Sequence, residues 1–133
     1  MKQEFVEYEI AKALKDMGFD EECLMWYPHE KLLTADLIFR QYSENEEFCN
    51  APLIQQAFRW LRDKYQYIHG IDDIGIMTSS GNGYRFKYAI WKILGTYGSL
   101  IHDDSALGYL TYEDAEIACL KHIIKLIKTK NNE

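Results

Sequence analysis

Three apolar stripes of helical period occupy the two ends and the middle of this chain. Between them lie short runs with strand-like alternation and Gly punctuation. The implied order is helix, hairpin, helix, meander, helix, which excludes all-α and all-β folds. Strands grouped between helices predict an α+β fold, an antiparallel sheet (N-terminal hairpin plus C-terminal meander) packed with about three helices.

The first stripe spans residues 4–17. Val6, Ile10, Ala13, Leu14 and Met17 share one face, and Lys12, Lys15 and Asp16 take the other. Gly18 is expected to stop this helix in a left-handed conformation, with Phe19 folding back onto the last turn. Residues 24–27 and 32–42 read as a hairpin whose turn is Pro28-His29-Glu30-Lys31, followed by a charged loop at 43–47. Asn50-Ala51-Pro52 supplies a capping residue and an early Pro for the second helix. Leu53, Ala57, Trp60 and Leu61 form its buried stripe, with Trp60 and Leu61 as core anchors.

From residue 74 to 110 the pattern shortens. Ser79-Ser80-Gly81-Asn82-Gly83 reads as a turn and 84–94 as a strand. Tyr84, Phe86, Tyr88 and Ile90 fall on one side of that strand, and Arg85, Lys87, Ala89 and Trp91 on the other. Gly95-Thr96-Tyr97-Gly98 is the next turn, 99–102 a short strand, and 107–110 closes the meander. Thr111 is a good N-cap for the third helix, and Glu113, Asp114 and Glu116 suit its positive end. Lys121, Lys125, Lys128 and Lys130 crowd its other end, as the dipole prefers, and residues 128–133 read as a loose polar tail.

A length of 133 residues fits a single domain, 1–133. An apolar fraction of 47% with 14% aromatics is enough for a core and excludes wholesale disorder. The net charge of -6 opposes a nucleic-acid coat or a binder of anionic membranes. No apolar run approaches the roughly 20 residues of a membrane span, and no signal-peptide core follows Met1, so a cytoplasmic protein is expected. Cys23, Cys49 and Cys119 are odd in number and scattered, which reads as reduced thiols rather than disulfides or a zinc site.

Three segments carry a resemblance. They are residues 4–20 with Leu14-Lys15-Asp16-Met17-Gly18-Phe19, the central Ala51-Pro52-Leu53-Ile54-Gln55-Gln56-Ala57-Phe58, and Thr111-Tyr112-Glu113-Asp114-Ala115. In that order they resemble a family of small uncharacterised proteins carried by bacteriophages and mobile elements of gut bacteria. The resemblance covers under half the chain and marks capping and packing, not chemistry. It implies an intracellular accessory protein with no assigned activity.

Two turns could supply a base and carboxylates, or metal ligands: His69 with Asp72 and Asp73, and His102 with Asp103 and Asp104. Neither has ligand spacing tied to a mechanism, so no metal and no cofactor is expected. The 79–83 segment lacks both the Lys-Ser/Thr ending and the following helix of a phosphate loop. A Cys119–His122 pair shares one helix face, but apolar burial would blunt the thiol. The interleaving of Arg85, Lys87 and Trp91 on one strand face is different: two cations and a stacking surface suit a phosphate joined to an aromatic ring. These three are the expected ligand-binding residues. No constellation reaches a catalytic site, so the expectation is a non-enzymatic binding protein; the resemblance implies an accessory role, blocking or sequestering a host component. Its partner would be a protein or a small nucleotide-like ligand. The alternatives are a small metal-dependent hydrolase or nuclease using the His/Asp turns, and a DNA-binding regulator using the 84–91 strand.

Overall fold

The computed structural model describes residues 4–29, 32–35, 48–73, 86–103 and 108–131. The chain divides into two compact units, Met1–Ala57 and Phe58–Glu133. The division falls inside a helix and not at a Pro/Gly/Ser linker, so composition carries no trace of it.

In the first unit, α1 (Tyr8–Asp16) buries Ile10, Ala11, Ala13 and Leu14. It is shorter than its apolar stripe suggests. Glu4 to Glu7 are not helical: the Val6 N–H donates to the Pro52 carbonyl at 3.0 Å, and the Ile54 N–H to the Glu4 carbonyl at 2.9 Å. Phe5 and Val6 are β-prone residues, and strand-like pairing with residues 52–54 overrides the helical stripe. The stop at Gly18 is as expected. Its φ is +99°, its N–H donates to the Lys15 carbonyl, and the Phe19 N–H reaches back to the Leu14 carbonyl at 2.9 Å. Phe19 is buried, completing a Schellman motif.

A three-stranded antiparallel sheet orders β2 (Leu32–Thr34), β1 (Met25–His29) and β3 (Cys49–Ala51). Pro28 therefore lies in the central strand and not in the turn. It is tolerated because the β1–β2 register shifts between Trp26 and His29, so the missing N–H falls at an irregularity. Asn50 is also a strand residue, paired with Trp26, and does not cap the second helix. The Leu53 carbonyl accepts the first intrahelical bond there, from Ala57 at 3.0 Å. Inside this unit the Tyr27 hydroxyl donates to the Val6 carbonyl at 2.8 Å.

The helix α2 (Ile54–Tyr65) ends at Gln66, the one non-Gly positive-φ residue among those described, at 65°. That single left-handed residue turns the chain directly into β4 (Tyr67–Asp73). β5 (Phe86–Leu94) follows, and β6 (Tyr97–Asp103) is joined to it by the Gly95-Thr96 turn. The order β4-β5-β6 is antiparallel throughout, with β5 central. Tyr109 extends this sheet by an isolated bridge to Phe86, exchanging both backbone hydrogen bonds at 3.0 and 2.7 Å. Among the described strands β6 lies at an edge, and Tyr97, Leu100 and Ile101 on it are exposed.

The helix α3 (Tyr112–Asn131) packs on β4 and β5. The Thr111 hydroxyl accepts the Asp114 N–H at 3.0 Å, the expected cap. The helix runs on through Asn131, so Lys128 to Lys130 are helical and not tail. Lysines are good helix formers and favour the negative end of the dipole, which carries the helix past its apolar stripe. No helix among the described residues is long and apolar enough to cross a membrane.

Leu61 is fully buried and Trp60 nearly so. Leu61→Ala is expected to lower stability by roughly 2–5 kcal/mol, read as a fall in the urea midpoint at unchanged slope. Burial pushes the Cys49 thiol up to about 11 and the Cys119 thiol to about 12, whereas Cys23 is only half-buried. A thiol reagent at neutral pH is therefore expected to label Cys23 rapidly in the native protein, and Cys49 and Cys119 only on unfolding.

Candidate functional site

Strand period two sorts β5 between two faces. Tyr88 and Ile90 are buried on the face beneath α3. Ile90 pairs with His69 on one side and His102 on the other, so both histidines share that face. His69 stacks flat on Phe58 of α2, ring centroids 3.5 Å apart. His102 stacks on Tyr88 at 5.4 Å and meets the His122 ring of α3 edge-on at 4.4 Å. The Tyr88 hydroxyl is 2.9 Å from His122 Nδ1. When Tyr88 donates, the imidazole keeps its own proton on Nε2 and remains a donor there. His102 Nε2 is buried without a hydrogen-bond partner among the described residues.

A groove of about 700 Å³ opens over this cluster between the sheet and α3, within the usual range for small-molecule sites. Its floor is aromatic: Tyr67 and Tyr88 lie buried at the base, and half-buried Tyr109 stands at one side. Its α3 wall is basic, carrying Lys121, Lys125 and Lys130 together with His122. Among the described residues no carboxylate lines it. In a chain with 21 acidic and 15 basic side chains, this is a local reversal of sign. Lys92 stands beside it, its ammonium 4.3 Å over the Tyr67 ring and donating to the Tyr65 carbonyl.

Lys87 and Trp91 do share a face, as parity predicts, but it is the opposite face of the sheet. Trp91 lies against Gly70, where an added Cβ would come within 3.1 Å of the indole. Lys87 pairs with Asp103 at 3.2 Å and sits directly across from Asp72. Its charge is largely compensated there. Arg85 lies outside the described residues. The same register separates the two His/Asp turns: His69 and His102 face α3, whereas Asp72 and Asp103 flank Lys87 on the other side. Asp72 and Asp103 therefore cannot join His69 and His102 at one metal ion; Asp73 has the parity of His69 and falls on the histidines' face, but no three such groups among the described residues are placed to hold a metal. Asp104 and the 79–83 segment lie outside the described residues. Cys119 is fully buried, with burial first and nearby Glu116 second raising its pKa, so it is inert beside His122.

Sequence reasoning missed the groove. Its lysines read as dipole compensation and its tyrosines as core, and each reading is locally correct. The available signal was the spacing of Lys121, Lys125 and Thr129, four residues apart, which puts them on one side of the helix. No protein-family model matches the chain, and no curated protein or solved structure is significantly similar to it.

Burial first, and Arg62 second, lower the His69 pKa to about 4. The unfolded chain protonates this imidazole near its ordinary value of about 6.5. Stability from neutral His69 is thus fully present above that value and is lost as pH falls toward 4. Urea midpoints measured from pH 7 to 4 are expected to decline, and His69→Gln, which cannot titrate, is expected to decline less.

Proposed function

We propose that this chain is a non-enzymatic binding protein whose groove holds a small anionic aromatic molecule. The observation that carries the reading is the carboxylate-free lysine wall over a tyrosine floor, on a protein of net charge -6. Ammonium groups at Lys121, Lys125 and Lys130 hold the anion, Tyr109 offers a ring face for stacking, and His122 supplies a directional donor. Burial of Tyr88 and its hydrogen bond to His122 preorganise that donor, so little ordering is required on binding. The resemblance to phage and mobile-element proteins gives this a biological form: an intracellular accessory protein that sequesters a host small molecule.

The hydrolase alternative draws no support from Asp72 and Asp103, which lie on the face opposite His69 and His102. A DNA-reading role for the 84–91 strand draws none from a Lys87 already paired with Asp103.

Thermal-shift screening of nucleotides and of 2-naphthoate, an aromatic anion without phosphate, tests the reading. Stabilisation is expected that weakens with added salt and is reduced by Lys125→Ala and Tyr109→Ala but not by Lys87→Ala. A hit that responds instead to Arg85→Ala and Trp91→Ala would put the site on the outer face of the sheet.

A further inference from the structure

The groove has two chemically different ends. His122 lies against Tyr88 at one of them. At the other, Lys130 lines the groove beside Tyr67, and Tyr67 pairs directly with Lys92. α3 therefore runs along β5 in the same direction. Eight residues of helix from His122 to Lys130 cover about 12 Å, and four residues of strand from Tyr88 to Lys92 cover about 13 Å. The two walls match in length.

The first end is rich in rings: Tyr88, Tyr109, His102 and His122 gather within 6 Å of Tyr88 or of one another. The second end is rich in charge. The Lys92 ammonium is fixed by the Tyr65 carbonyl and the Tyr67 ring. Lys130 lines the groove with Tyr67, over whose ring Lys92 lies, and the Lys92 pKa is lowered first by burial and then by Lys130. Lys125 and the exposed Thr129 hydroxyl lie between the two ends.

Resting on the reading of the groove as an anion site, we propose that its ligand is a nucleoside bearing two or more phosphates. The nucleoside ring lies at Tyr109 and His122, and the terminal phosphates lie between Lys92 and Lys130. A short anion anchored by its ring meets Lys121 and Lys125 and leaves the Lys92–Lys130 pair uncompensated. A phosphate chain running the length of the groove places negative charge against both.

The test is isothermal titration of the full chain with a nucleoside mono-, di- and triphosphate, inorganic tripolyphosphate and 2-naphthoate. Affinity is expected to rise about tenfold for each phosphate after the first. Lys130→Ala, an exposed position that does not threaten folding, is expected to weaken di- and triphosphate binding several-fold more than monophosphate binding. Equal affinity for mono- and triphosphate, or a Lys130→Ala loss of the same size for every ligand, would overturn the inference and leave the groove reading standing. Binding of 2-naphthoate without any nucleotide would do the same. Tripolyphosphate binding as tightly as the nucleoside triphosphate would overturn the assignment of the ring end. Failure of every ligand to bind would remove the groove reading itself.

Discussion

The second unit depends on one constraint, the burial of a single face of β5 beneath α3. Ile90 is fully buried at the centre of that face and Tyr88 nearly so. Because side chains alternate, fixing these two fixes every other residue on the strand. Lys92 has the same parity and is drawn to the helix side although it is charged. The fold accommodates it at the end of the strand, where its stem lies along Tyr67 and its ammonium finds the Tyr65 carbonyl. Lys87, of the opposite parity, is sent to the other face and pairs with Asp103. The cation beside the groove and the cation paired on the opposite face are thus distinguished by strand register alone.

The same parity orders the polar chemistry of the site. His69 and His102 flank Ile90 on one face, but their surroundings differ. His69 is capped by the Phe58 ring and stays neutral to about pH 4. His102 stands beside a second imidazole and a tyrosine, with its Nε2 buried and unpartnered among the described residues. A buried polar atom left this way costs roughly 1–3 kcal/mol. Such costs gather where a site needs defined geometry more than stability. The edge-on contact at 4.4 Å keeps the His122 ring in its plane against Tyr88.

Much of the architecture was legible where one local signal had no competitor. Gly18 offered a cheap left-handed residue directly after an apolar stripe, and Thr111 a short-chain hydroxyl at the capping distance before three acids. Legibility failed where tertiary pairing overrode local pattern. Val6 fits a helical stripe yet is claimed by the Pro52 carbonyl. Asn50 resembles a cap yet is claimed by Trp26. β4, with the sequence YIHGIDD, has weak strand propensity and was not visible; its pairing with β5 stabilises it, and Gly70 is accepted because the Trp91 indole occupies the space of a side chain. The groove was illegible for a different reason. It is made of residues far apart in sequence, each with a sufficient local explanation, and only the alignment of α3 along β5 brings them together.

The exposed β6 edge has a consequence for the protein in bulk solution. Tyr97, Leu100 and Ile101 lie on a strand whose outer backbone groups have no further strand partner among the described residues. An edge of this kind is a template for another copy of itself. The net charge of -6 keeps copies apart through long-range repulsion. That protection is colloidal rather than structural, so it fades under high salt or mild acid while the fold persists. Self-association through β6 would then compete with solubility well before unfolding begins.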